Sequence, residues 1–167
     1  MAKEAANRLL PYLVAFPVRM GDALRAIGFK VWVTKFKDSS ISGVLALNAR
    51  KEFPMVIGVN EEDSHGHQCF TLAHELAHYI FDIQDDTGKL IRAHYNTSMD
   101  NDKNLVEYRA NKFATELLMP ELEFKKGVMR VRQQYKNEDV QIEGLSLMFD
   151  VSKTAVERRI EELKIGA

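Results

Sequence analysis

An α+β fold is predicted for this 167-residue chain: a small three-stranded antiparallel sheet packed on a pair of helices, followed by a C-terminal helix-turn-helix-like unit. Three features point to it. Short runs rich in β-branched and aromatic residues, Phe29 to Phe36, Val44 to Leu47 and Met55 to Val59, follow one another with turn-forming residues between them. At His65 the apolar spacing changes to the helical period, so that Cys69, Leu72, Ala73, Leu76 and Ile80 form one stripe ending near Phe81. After polar Lys136 to Asp139 the composition breaks and two short helical patterns follow, dividing the chain into a core over 1–136 and a helical unit over 137–167.

Taken in order, Pro17 can open a helix over 17–27 that presents Met20, Ala23, Leu24 and Ile27, with Gly28 closing it in the left-handed conformation. The strands are separated by Asp38-Ser39-Ser40 and by Asn48 to Pro54. The helix over 65–81 then lies against the sheet. Asp85 to Lys103, rich in Asp, Asn, Ser, Thr and Gly without a sustained period, reads as a long loop of the kind that carries function. A second helix over 104–118 is stopped by Pro120, a third spans 121–135, and the terminal pair spans 141–149 and 153–163.

Composition narrows the function classes. Hydrophobic residues make up 46% and charged residues 28%, which suits a protein with its own core. With 23 basic and 24 acidic side chains, no overall field draws the chain to nucleic acid or anionic lipid. The longest apolar stretches, Leu9 to Met20 and Cys69 to Phe81, are interrupted by charged or ring residues and fall short of the ~20 residues of a membrane helix, so no membrane association is expected. The N-terminus lacks the pattern of a secretory signal, and a cytoplasmic location is expected. Cys69 is the single cysteine, so a zinc site has to be built from histidines and carboxylates.

Such a site is present in outline. His74-Glu75-Leu76-Ala77-His78 is a His-Glu-x-x-His pattern on a predicted helix. Residues four apart are displaced by only ~40° around a helix, so both imidazoles leave one face and can share a metal ion, while Glu75 sits ~100° round from His74, within reach of a water. Three protein ligands on zinc leave a fourth position for that water, and Glu75 is placed to take its proton as the catalytic base. Chance alone would produce the pattern in a chain of this composition about 1% of the time. Helix 104–118 carries Glu107 and Asn111 on one face. Glu107 is the candidate third ligand, with His94, Asp102 or Glu116 as alternatives, and Asn111 is the candidate to orient a ligand imidazole from behind. His94 and Tyr95 are candidates to polarise the substrate carbonyl. His65 and His67 are read as solvent-facing, and Cys69 as core.

The run Phe70 to His78, followed by Glu107-Tyr108-Arg109-Ala110-Asn111-Lys112-Phe113-Ala114-Thr115-Glu116-Leu117-Leu118-Met119-Pro120, resembles the ImmA/IrrE metallopeptidases in order and spacing, within a likeness over about residues 15–163. The resemblance implies a zincin-like helix pair of the gluzincin arrangement, Zn2+ as cofactor, and the third ligand at Glu107. It further implies endoproteolysis of an Xre-type helix-turn-helix repressor, which derepresses genes, in the short form carried by mobile elements and prophages.

The terminal helices have the form of a helix-turn-helix, with Ser152 as N-cap and Val151, Ala155, Val156, Ile160 and Leu163 facing inward. A DNA reader would use exposed Lys153, Thr154, Arg158 and Arg159, but Glu157, Glu161 and Glu162 cancel much of that charge, so a structural or partner-binding role is favoured. The alternative to a peptidase is a regulatory module that binds DNA or a repressor without proteolysis.

Overall fold

The computed structural model describes residues 11–13, 15–48, 51, 52, 54–82, 90–95 and 105–166, and for 90–95 the backbone alone. Its elements run α1 (Met20–Ala26), β1 (Lys30–Thr34), β2 (Ile41–Leu47), β3 (Met55–Asn60), α2 (His65–Phe81), β4 (Leu90–Tyr95), α3 (Leu105–Leu118), α4 (Glu121–Gln134), α5 (Glu138–Phe149) and α6 (Lys153–Glu162). Among the described residues no helix is long and apolar enough to cross a membrane.

The fold is α+β, but the sheet differs from the predicted one in strand number and direction. Among the described residues it has four strands, in the order β1-β3-β2-β4. β2 pairs antiparallel with β3 and β4, whereas β1 lies on the far side of β3 and runs parallel to it, with Trp32 opposite Gly58. The segment around Asp38 is a local Asx turn, in which Ser40 donates its N–H to Asp38 Oδ1 at 2.9 Å. It leads the chain past β3 rather than closing a β1–β2 hairpin. Turn chemistry reports a reversal but not which strand edge the next strand meets, because that edge is selected by long-range burial. The fourth strand, Leu90–Tyr95, lies inside the stretch read as one long loop; Ile91 and Tyr95 give it strand propensity that the flanking polar residues masked.

The helix predicted to open at Pro17 begins at Met20, where Ala23 donates the first helical bond to Arg19. Gly28 ends it with φ of +101°, as the sequence predicts. α2 packs on β2 and β3 and pairs with α3. One continuous apolar core links Met20 and Leu24 of α1, Leu45 and Ile57 of the sheet, Leu72 and Leu76 of α2, Leu118 of α3, Phe124 of α4, Phe149 of α5 and Val156 of α6.

Ser152 caps α6 by accepting from the Ala155 N–H at 3.1 Å. Arg159, expected on an exposed DNA-facing surface, is instead buried at 1% exposure. Its guanidinium donates to both Glu116 carboxylate oxygens at 3.0 and 2.8 Å, to Glu162 at 2.6 Å and to the Met119 carbonyl at 3.1 Å. The one-dimensional pattern shows a basic residue beside acidic ones; only packing of α6 against the end of α3 turns it inward. Those bonds hold the Glu116 carboxyl below its usual range. Lys153 is tied to Glu143 at 2.7 Å, while Thr154 and Arg158 are exposed.

Candidate metal centre

α2 is a 17-residue helix capped by Ser64, whose hydroxyl accepts from the His67 N–H. Its middle is largely apolar and buried; besides Thr71, the buried polar residues are the titratable His74, Glu75 and His78, exposed by 0%, 0% and 1%. Burying three such groups on one helix is costly unless each is satisfied.

The two imidazoles converge. His74 Nε2 and His78 Nε2 are 2.8 Å apart. Glu107, carried in by the first turn of α3, places Oε2 at 3.1 Å from the first and 3.4 Å from the second. The three donor atoms lie within 4.8 Å of one another. Behind each ring stands an acceptor: Asn111 Oδ1 is 2.8 Å from His74 Nδ1, and Asp82 Oδ2 is 2.6 Å from His78 Nδ1. Asp82 in turn is paired with Arg109, whose guanidinium also lies over the Phe81 ring at 5.1 Å.

The tautomers follow from these partners. A carboxylate can only accept, so His78 carries its proton on Nδ1 and turns the lone pair of Nε2 inward, and the Asn111 carbonyl does the same for His74. Two imidazole lone pairs and a carboxylate oxygen facing one point repel each other unless a cation lies between them. Two imidazoles and a carboxylate with an open fourth direction is a donor set that zinc takes in catalytic sites. The Glu107 side chain, 29% exposed, marks the side that opens to solvent.

Glu75, one residue along from His74, lies on the sheet side of α2. A Cβ built on Gly43 of β2 would come 2.4 Å from Thr71 Cγ2 and 3.7 Å from Glu75 Oε1. Gly43 therefore sets how closely the helix carrying Glu75 approaches the sheet.

Of the other candidates, Glu116 is committed to Arg159 and Asp102 lies outside the described residues. The backbones of His94 and Tyr95 lie on β4, paired with Gly43 and Ile41, and their side chains lie outside the described residues. Asp82 and Arg109 were missed by the sequence reading. Asp82 stands four residues after His78, a spacing that could have found it; Arg109 carries no such signal.

His65 and His67 both belong to the first turn of α2: His65 is exposed, as its sequence reading expects, whereas His67 is half-buried, and both have partners. His67 Nε2 lies 3.2 Å from Ser42 Oγ, and His65 Nδ1 lies 2.7 Å from an Asp150 oxygen. Cys69 is buried, and burial, reinforced by a hydrogen bond to Asp150, pushes its thiol up to about 12.

The family model described as the IrrE N-terminal-like domain, Peptidase_M78, matches residues 25–161. The chain belongs to this family. Peptidase_M78 domains are metallopeptidases of the IrrE/ImmA type, which agrees with a buried set of metal-ligand side chains. Comparison with curated proteins gave no match.

Proposed function

We propose that this Peptidase_M78 domain is a zinc-dependent endopeptidase that acts in the cytoplasm on an Xre-type transcriptional repressor, so that cleavage derepresses genes of a mobile element. The observation that carries the reading is the convergence of His74 Nε2, His78 Nε2 and Glu107 Oε2 with both Nδ1 atoms held from behind.

In this reading His74, His78 and Glu107 hold the ion in a zincin-like helix pair. Bound zinc supplies Lewis acidity, polarising a peptide carbonyl and acidifying a water towards a pKa of ~7. Glu75 takes the proton of the attacking water and delivers it to the leaving amine. Asn111 and Asp82 keep the imidazoles in the ligating tautomer, and Arg109 holds Asp82 in place. His94 and Tyr95, on β4, are assigned as donors to the developing oxyanion.

The helical unit over 137–167, with its helix-turn-helix-like pair α5 and α6, is assigned to partner contact. DNA reading is disfavoured because Arg159 is buried and Lys153 is paired with Glu143.

The test combines zinc content with cleavage of a co-encoded helix-turn-helix repressor. About one zinc lost in His78→Ala, and cleavage reduced by about 10²–10⁴-fold in Glu75→Gln, are expected. No metal under zinc-replete conditions, or a Glu75→Gln variant that still derepresses the target genes in full without cleaving the repressor, would return the reading to a non-proteolytic binding module.

A further inference from the structure

A second set of metal-ligand side chains lies on the same helix, away from the first. His65, Cys69 and Asp150 place an imidazole nitrogen, a sulfur and a carboxylate oxygen within 4.8 Å of one another. His65 Nδ1 is 2.7 Å from Asp150 Oδ2 and 3.8 Å from Cys69 Sγ, which in turn is 3.2 Å from Asp150 Oδ2.

The arrangement repeats the construction of the first site. His65 and Cys69 stand four apart on α2, as His74 and His78 do, so both donors leave one helix face. The third donor again comes from a neighbouring element, here the residue ending α5. Asp150 adopts φ of +52°, and the turn after it approaches so closely that a Cβ on Gly66 would meet the Val151 backbone at 2.7 Å. The tight contact holds the carboxylate against the first turn of α2.

We propose that His65, Cys69 and Asp150 form a second divalent-metal site, suited to zinc, that fastens the α5–α6 turn to the start of α2. An imidazole, a thiolate and a carboxylate form a donor set zinc accepts, and His65, with its side chain 76% exposed, leaves a fourth direction open to water. Binding exchanges the thiol proton, released to solvent, for a metal–sulfur bond. Cys69 precedes His74 by five residues, ~7.5 Å along the helix, and His65 by nine, ~13 Å. Two ions so placed cannot act as the ~3.5–4 Å pair of a two-metal catalyst, so the second ion is structural. The site does not depend on the peptidase reading.

Cobalt(II) substitution of the full-length chain tests this. Cys69 is the only cysteine, so a sulfur-to-cobalt charge-transfer band in the near ultraviolet can arise only from this site. The band is expected to saturate once both sites are filled, at two equivalents of cobalt in wild type and at one in His74→Ala, and to vanish in Cys69→Ser, which separates it from the first centre. His65→Ala, at an exposed position, and Asp150→Asn, which tolerates the left-handed backbone, are expected to weaken it by about tenfold or more. Absence of the band in folded, cobalt-saturated wild type would overturn the proposal, as would a band of unchanged affinity in both His65→Ala and Asp150→Asn.

Discussion

Replacing Asp82 with Asn probes the tautomer argument at its most sensitive point. The carboxylate sits 2.6 Å from His78 Nδ1, and its other oxygen faces Arg109. An amide can still turn its oxygen to the imidazole, but its NH2 then meets the guanidinium, donor against donor. The substitution thus exchanges a charge-assisted hydrogen bond, worth about 1.5–3 kcal/mol, for a weak one. At about 1.4 kcal/mol per factor of ten, zinc affinity should fall about 10- to 100-fold. Two comparisons sharpen the expectation. Asn111→Ala removes a neutral partner of His74, worth about 0.5–1.5 kcal/mol, and should cost about 2- to 10-fold. Arg109 has a side chain 49% exposed, so its ion pair is screened and Arg109→Gln should cost less than about fivefold. Zinc affinities measured by chelator competition, with circular dichroism to verify folding, should rank Asp82→Asn below Asn111→Ala below Arg109→Gln. Wild-type affinity in Asp82→Asn, or a larger loss in Arg109→Gln, would refute the claim that Asp82 holds the imidazole for ligation.

Three further outcomes follow from the packing around the site. Arg159→Met keeps the buried stem but strips the Met119 carbonyl of its donor and Glu116 and Glu162 of their partner; because both carboxylates can rehydrate, a loss of about 2–3 kcal/mol in urea unfolding is expected, and a change within about 0.5 kcal/mol would contradict it. The Glu116 carboxyl is held below its ordinary 4.5 by Arg159, so its contribution to stability is present above that pH and is lost as pH falls through the lower folded value. Glu116→Gln should therefore flatten the acid limb of a stability–pH profile, and an unchanged limb would count against the pairing. Gly43→Ala would drive a methyl into Thr71 of α2, one turn before Glu75; a stability loss of about 1–3 kcal/mol should come with reduced turnover at retained zinc content, and unaltered turnover would show that the close approach of β2 to α2 does not position Glu75.

The parts of this molecule visible in one dimension are those written in local spacing. The helix over 65–81 has the bounds its apolar stripe predicts, and the four-residue interval between His74 and His78 places both imidazoles on one face whatever surrounds them. Ser152 caps its helix and Gly28 ends another because capping involves only neighbours in the chain. Strand β4 was hidden because its residues sit among loop-forming ones, and a strand acquires its identity from the partner it meets.

By itself, then, the sequence determined the order of most elements, the helix bearing the paired histidines and the position of Glu75 beside them, since a helix of 3.6 residues per turn converts spacing directly into direction. The tertiary structure alone decided which strand β1 joins, that Arg159 turns inward to Glu116, that Arg109 pairs with Asp82, and that Asp150 closes on His65 and Cys69. Each of these joins residues far apart in the chain or placed by such contacts, and their pairing is selected by burial and charge compensation across the whole core, quantities that no short window of residues contains.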